Sequence, residues 1–566
     1  MISPRASLLV LAIIAGATAS CAGDTVQAPR VAAGFADVPL SDGTLSLPLG
    51  TRIARHDDMV VLRLSASWCA ACTWHLEHDE ALLPAKANTY VRYVDVLLRG
   101  PDNSLPTASD LHSLRARRGS GAQAYSDPSL ALYTQAAKFN DAHHLTLPAY
   151  VLLDGRTLSP RMVLQSPDTT TLAYVLRTEL QELTGRGFAT VTTPADKRGL
   201  EQNVAALLQG MSVRNTPISD PSNRYADNTE VAQLGKELFN DPSLSPSGKT
   251  SCASCHDANH GFADPRSVSL EAGTGTRNAP SLLTAGRRTH FFWDGRSDAL
   301  WTQALAPFEN DAEFASARGL VVARAVSRGA AAWAQTFAEA PWLPRELAQV
   351  APDARPGRPS WTSLSAPLKE RVNRSYVNVG KAIAAYERTL RTKPTRFDAY
   401  LEGDTQALSA QERDGMARFV INGCAQCHSG PDLTDDAYHV VRFPSAAGAM
   451  DVGRIAGVEA AARAEFTTHG TSSDAVAPTK ATPATVRETH LRGAFKTPSL
   501  RAVADTAPYG HAGNLATLED VLTIYANGDH APEDPRAVGV REPWISHFHE
   551  NEIPAMAAFL RVFTEK

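Results

Sequence analysis

Cysteine is scarce in this chain, with 7 among 566 residues. Six of them form three Cys-x-x-Cys pairs, Cys69/Cys72, Cys252/Cys255 and Cys424/Cys427, and Cys21 stands alone. So few cysteines in so long a chain exclude a disulfide framework as the basis of the fold. Long apolar runs are equally rare. The run from Leu8 to Ala15 is too short to span a bilayer, and no later segment approaches the ~18 apolar residues of a membrane helix. Neither sign of charge dominates: 55 basic against 60 acidic residues leave a net charge of −5, which offers nucleic acid no basic footprint. What remains is an ordinary globular composition, 43% hydrophobic and 20% charged, in a length suited to about three or four domains.

The N-terminus, MISPRASLLVLAIIAGATASC, places one basic residue before the apolar run and small residues after it. Residues 1–20 read as a secretory signal. Ala17-Thr18-Ala19 suits ordinary signal peptidase, whereas Thr18-Ala19-Ser20-Cys21 loosely resembles a lipoprotein box with Thr18 in place of the preferred Leu. The odd cysteine favours the second reading, because lipidation gives Cys21 a use. The expected location is the bacterial periplasm, with a lipid anchor to the outer membrane as the sole membrane attachment.

Beyond the signal, MVVLRLSAS (59–67) and YVRYVDVLL (90–98) are strand candidates, and YVLLDGRTL (150–158) is a strand followed by a turn at Asp154-Gly155; helical stretches separate them, which predicts an α/β domain over 33–185. Asp168 is the expected N-cap of a closing helix, 168–183. Residues 186–228 end in the polar run TPISDPSNRYADN and read as a linker. After it, helical patterns dominate (229–239, 376–390, 409–421, 518–526 and 552–563). Two Cys-x-x-Cys-His sites about 170 residues apart suggest two related, mostly α modules in tandem, 229–400 and 401–566.

In SCASCH (251–256) and GCAQCH (423–428), two thiols three apart can bind both haem vinyl groups while the adjacent imidazole takes an axial iron position. Zinc would need four ligands, and no cysteines remain to complete either set. A simple dithiol gains nothing from the histidine. Both sites therefore predict haem c, attached through Cys252, Cys255, Cys424 and Cys427 and ligated by His256 and His428.

Together with RNAPSL (277–282), FFWDGRSDALWTQALAP (291–307), GCAQCHSGPDLTD (423–435) and FKTPSLRAVADTAPYGHAGNLATLEDVLTIY (495–525), the segment FNDPSLSPSGKTSCASCH (239–256) resembles the bacterial dihaem cytochrome c peroxidase and MauG family over about 226–566. Members that need reductive activation carry a capping histidine before the Arg-Asn-Ala-Pro motif. Here that loop, SVSLEAGTGTRNAP (267–280), has none. The resemblance then implies an open first haem, with His260 as a loop histidine. It assigns Glu313 as the peroxide acid/base, with Gln303 and Pro307 at pocket positions and Trp293 as a relay between the haems. On the residues alone, Glu313 is one of several acids in ENDAEF, and Trp293 fits a core aromatic. The distal ligand of the second haem is implied to be Tyr525, as in MauG-like members. A buried helix tyrosine is the plainer reading, and Met450 and Met556 are the thioether alternatives. Asn278, Thr506 and Pro508 fall on the positions that hold a calcium ion.

SASWCAACTWH (65–75) lacks the histidine after its second cysteine, which argues against a third haem. A strand running into Trp-Cys-x-x-Cys, and Thr146-Leu147-Pro148 before a strand, resemble the thioredoxin-like fold of exported reductases. The resemblance implies Cys69 as nucleophile, Cys72 as resolving thiol and Pro148 as a cis-proline facing them. A structural disulfide is the alternative. His75 and His78 are expected to be exposed.

Three functions follow. One is a peroxidase reducing hydrogen peroxide with electrons from a small cytochrome c or cupredoxin. The second is a MauG-like enzyme that turns peroxide-derived oxidising equivalents on a partner protein. The third is a non-catalytic electron-transfer or thiol-redox module.

Overall fold

The computed structural model describes residues 35–53, 59–69, 72–73, 75–76, 83, 89–118, 122–140, 145, 147–165, 169–184, 208, 210–214, 216–475, 489–527, 534–542, 545 and 548–564. The signal region with Cys21, and His78, Thr146 and Asp168, lie outside these residues.

The apolar runs of the N-terminal third become one seven-stranded sheet. Its strands are β1 (Pro39–Ser41), β2 (Ser46–Pro48), β3 (Met59–Ala66), β4 (Val91–Arg99), β5 (Gln123–Ser126), β6 (Ala149–Asp154) and β7 (Pro160–Gln165), in the order β2-β1-β5-β4-β3-β6-β7. Strand β3 runs parallel to β4 and antiparallel to β6. All of β3 is buried, as a central strand covered on both faces must be. Because side chains alternate between faces, Met59 and Val61 meet Leu172, Leu176 and Leu180 of the helix Thr169–Thr184. Val60, Leu62 and Leu64 point the other way, into the cluster that holds Cys69 and Cys72. The turn expected at Asp154-Gly155 follows β6, and β7 comes after it. This is the expected thioredoxin-like α/β domain.

The rest is mostly helical, built around two hydrophobic clusters. The helices that matter here are α1 (Thr229–Phe239), α2 (Leu300–Leu305), α3 (Ala366–Glu387), α4 (Ala410–Ile421), α5 (Leu518–Asn527) and α6 (Ile553–Arg561). Asn228 caps α1 by accepting from Val231 N at 2.9 Å, and Ser409 caps α4 through Glu412 N at 3.3 Å. Helix α3 begins ten residues before the expected start at Tyr376, since Pro367 fits a first helical turn.

The two modules share one packing device. A Cβ on Gly235 of α1 would lie 1.8 Å from the Ala382 carbonyl of α3, and one on Gly415 of α4 would lie 2.0 Å from the Ala555 carbonyl of α6. In each module a glycine lets the first helix touch the backbone of a later one. This is the internal repeat expected from the tandem haem motifs.

The polar run 216–228 is not a free linker. Arg388 of the first module donates to the Ile218 carbonyl (2.8 Å) and the Ala226 carbonyl (3.1 Å), and Trp301 Nε1 donates to Ser222 Oγ (2.9 Å). Its polar groups bond to the module, which a composition reading cannot anticipate. A second departure is the two-residue strand pair Tyr438–His439 with Phe495–Lys496, too short to leave a periodic signal.

Gly235→Ala and Gly415→Ala are each expected to lower stability by roughly 1–3 kcal/mol, the usual cost of overpacking. Gly210→Ala, where an added Cβ meets nothing within 4 Å, serves as control. Thermal denaturation of the haem-loaded protein checks this; equal midpoints for all three variants would contradict the close-approach account.

Candidate active site

Cys252 and Cys424 pack against the hydrophobic clusters of their modules, and each proximal imidazole is oriented by a backbone carbonyl. His256 Nδ1 donates to the Phe262 carbonyl at 3.0 Å, and His428 Nδ1 donates to the Leu433 carbonyl at 3.0 Å. A carbonyl can only accept, so the proton sits on Nδ1 and the Nε2 lone pair is left for a metal. Burial lowers both imidazole pKa values and keeps the rings neutral, as a ligand must be. Burial also pushes the Cys255 thiol to about 11 and the Cys424 thiol to about 12, and raises Cys252 and Cys427. Neither pair is therefore a reactive thiolate dithiol at neutral pH.

Both motifs open onto one continuous cavity of about 420 Å³. Its wall also includes Trp293, Gln303, Pro307, Glu313, Tyr525 and Met556. Asn278, Thr506 and Pro508 lie on the same wall. Met450 is 68% exposed, with its sulfur against Arg492 Nη2 at 3.5 Å, and so is removed from the ligand candidates. His260 is a loop histidine as expected, its Nε2 on the Ala507 carbonyl.

Glu313 accepts from Asn310 Nδ2 at 2.6 Å, and desolvation raises its pKa against the opposing influence of Arg296 and that hydrogen bond. Trp293 joins the two modules: its Nε1 donates to the Asn278 carbonyl (2.9 Å), and its own carbonyl accepts from Lys496 N (2.9 Å). Beside it, Arg277 spans Asp294 (2.6 Å) and Asp451 (2.7 Å). Gly295 takes φ +66° there, and a Cβ on it would strike the Tyr438 hydroxyl, which explains the glycine after Asp294.

The cavity wall bears buried polar atoms that the polypeptide leaves unpaired: Gln303 Oε1 and both ring nitrogens of His511. Burial holds His511 neutral, with its pKa lowered to about 4. Paired thiols, free Nε2 atoms and unpaired polar groups around one shared cavity fit covalent haem at both motifs. Zinc does not fit. Cys427, Asp435 and His439 lie within 4.8 Å of one another, but His439 is held between Asp435 (2.9 Å) and Glu542 (2.7 Å), and Cys427 belongs to the attachment motif.

The description "Di-haem cytochrome c peroxidase" matches residues 229–406. The cytochrome c551 peroxidase of Pseudomonas aeruginosa is 32% identical over 363 residues, which is 61% of this chain and 86% of that protein. The chain belongs to the dihaem cytochrome c peroxidase family. The methylamine utilization protein MauG of Methylorubrum extorquens is also 32% identical, over 60% of this chain and 80% of its own length. The N-terminal part is similar to a secreted Mycobacterium tuberculosis disulfide oxidoreductase, with 14% identity, 26% of this chain and 99% of that one covered, and a TM-score of 0.20. As a family member this chain is a peroxide-using oxidoreductase with two haem c groups.

In the other domain, Cys69 and Cys72 form a disulfide, and Leu147–Pro148 is cis. Leu147 shares the buried cluster of both cysteines. His75, expected on the surface, is 6% exposed and its Nδ1 meets Tyr150 Oη at 3.0 Å. The ring lies against the buried face of β6, where a hydroxyl partner makes burial tolerable.

Sequence reasoning passed over His439 and Glu387, which carry no local motif. His511, the histidine of the Tyr-x-His-x-Gly motif, served in the sequence only to locate Tyr525 on the helix after it. Glu387 lines the cavity near Cys252, and burial raises its pKa to about 8. The folded protein thus keeps a proton that the unfolded chain releases above pH 4.5. That contribution is fully present below pH 4.5 and is lost as pH rises through about 8. Glu387→Gln should flatten the fall of melting temperature across this window. An unchanged slope would show that Glu387 is ionised in the native state.

Proposed function

We propose that this chain is an exported dihaem peroxidase that reduces hydrogen peroxide at the first haem with electrons passed through the second. The observation that carries this reading is Glu313, a carboxyl of raised pKa on the wall of the cavity into which Cys252, Cys255 and His256 open. Haem at that motif supplies an iron that binds peroxide and accepts electrons. The polypeptide supplies the proton handling. Glu313 takes a proton from one peroxide oxygen and returns it to the other, a role worth about 10²–10⁴-fold in rate. Burial raises its pKa, which favours the protonated, proton-donating form. Gln303, with its Oε1 otherwise unpaired, orients the bound peroxide by hydrogen bonding. Trp293, bonded to both modules, is the aromatic bridge between the two halves of the cavity.

The second reading, oxidation of a partner protein as the MauG-like resemblance implies, is favoured by one residue. Tyr525 on α5 lies against Phe443 (5.9 Å between centroids) and beneath Arg541 (5.8 Å). Met556, in the buried cluster against which Tyr525 also packs, has its sulfur against Asn422 Nδ2 at 3.7 Å. With the Met450 and Met556 sulfurs so engaged, Tyr525 is the side chain that this reading assigns to the second haem. A phenolate favours ferric and higher states, and axial ligands move haem potentials over about 0.8 V. The electron donor of the first reading is a small cytochrome c or cupredoxin.

Asn278 supports a calcium site between the modules. Its Nδ2 donates to the Asp264 carbonyl (3.0 Å) and the Arg266 carbonyl (2.8 Å), so Oδ1 is the oxygen that would ligate the cation, alongside Thr506 and Pro508. The periplasm suits haem c attachment and a Cys69–Cys72 disulfide, and Cys21 is the proposed lipid anchor.

Glu313→Gln is expected to lose about 10²–10⁴-fold in peroxide turnover with both haem spectra retained; normal turnover would remove Glu313 from the chemistry. Tyr525→Met should raise the potential of the second haem and alter its ferric low-spin signal. If both stay unchanged, another group ligates that iron.

A further inference from the structure

The dithiol of the thioredoxin-like domain faces its own chain. Cys69 and Cys72 are 0% and 1% exposed, and the second haem module lies over them. The Trp68 and His439 rings meet edge-on, 4.8 Å between centroids. Trp68 Nε1 donates to Asn103 Oδ1 (3.2 Å), and Asn103 Nδ2 donates to the Tyr438 carbonyl (2.9 Å) and to Glu542 Oε1 (2.5 Å). Gln426, inside the second attachment motif, donates to the Leu147 carbonyl (3.1 Å), just before Pro148. Ala437 is buried in one cluster with both cysteines, and Cys427 and Ile545 pack against it.

Four of these residues face two ways. Gln426, Cys427, His439 and Ile545 also line the haem cavity. A single layer of side chains therefore separates the Cys69–Cys72 pair from the space of the second haem.

This placement decides among the uses of a dithiol. Exchange with an outside protein needs an attacking thiolate to reach a sulfur, and both sulfurs are covered. Exchange with Cys427 needs a sulfur that haem attachment has already bonded. Electron transfer needs only packed contact.

We propose that Cys69 and Cys72 form an internal two-electron reserve for the second haem, linked to it across the Trp68–His439 contact. This rests on the peroxidase reading above. Closing the dithiol to the disulfide breaks two S–H bonds, forms one S–S bond and releases two electrons and two protons. Reducing one hydrogen peroxide to two waters breaks the O–O bond and consumes two electrons and two protons. The sum, dithiol plus peroxide giving disulfide plus two waters, balances without another reactant. The disulfide seen here is the discharged state. Two electrons and two protons supplied from outside the chain, by a small-molecule thiol in the test below, recharge the pair.

The test uses the full haem-loaded protein, reduced with dithiothreitol, desalted without oxygen and mixed with limiting peroxide. Thiols are then quenched with a mass-tagging alkylator, and turnover with an artificial dye donor is measured separately. The expected result is rapid loss of both tags from Cys69 and Cys72. Loss should be at least tenfold slower in Glu313→Gln and in Trp68→Leu, each first confirmed to keep wild-type haem spectra. Thiols that survive while dye turnover proceeds would overturn the reserve and leave the peroxidase reading standing. Equal thiol loss in wild type and Glu313→Gln would mean direct attack by peroxide, also overturning it. Wild-type loss in Trp68→Leu would overturn the proposed link. Absence of dye turnover would refute the peroxidase reading itself, and the reserve with it.

Discussion

The hydrogen bond from each proximal imidazole Nδ1 to a backbone carbonyl is the constraint on which the rest of the molecule depends. His256 and His428 each donate to a carbonyl a few residues ahead, Phe262 and Leu433, closing the attachment loop on itself. That closure fixes the tautomer, the ring plane and the direction of Nε2 together. Once Nε2 is aimed, the direction from which each imidazole would hold a haem iron is set, and the remaining groups have meaning only relative to it. Glu313, Gln303 and Tyr525 are ordinary side chains until the cavity wall they share is defined by the two loops.

Holding two such loops in one cavity requires the two modules to be locked together, and the lock is mostly ionic. Arg277 binds Asp294 of its own module and Asp451 of the other, while Arg454 returns two bonds of 3.0 Å to the Asp294 and Gly295 carbonyls. Removing one member of such a partly buried network leaves a charge unpaired, which costs more than the pair contributes. Trp293 sits inside this joint. Its place between modules is therefore a consequence of the same interactions that hold the cavity closed.

The thioredoxin-like domain follows the same logic from outside. His439 is held from both sides by Asp435 and Glu542, so its ring stays fixed against Trp68. A rigid imidazole between dithiol and cavity gives the N-terminal domain a defined docking face. Cys-x-x-Cys pairs of identical spacing thus end in unlike roles, two lining a cavity and one sealed behind its wall.

Much of this was legible in the residues because it is local. Strands β3 and β4, the helices expected over 229–239 and 409–421, and the division of the three cysteine pairs by the residue that follows each depend on neighbours in the chain. Glu313, Trp293 and Asn278 were reachable only through motif resemblance, since an acid in ENDAEF or a lone tryptophan carries no local signature. His439, Glu542, Asn103 and Gln426 were not reachable at all. Asn103 and Glu542 are over four hundred residues apart, and nothing in either neighbourhood encodes that they meet. By itself the sequence determined two haem-attachment sites, one dithiol and the fold of each part, because covalent chemistry and periodicity are short-range. The tertiary structure alone decided that the dithiol is covered by the second haem module, that residues 216–228 are packed rather than free, and that His75 is buried, because each follows from contacts between segments distant along the chain.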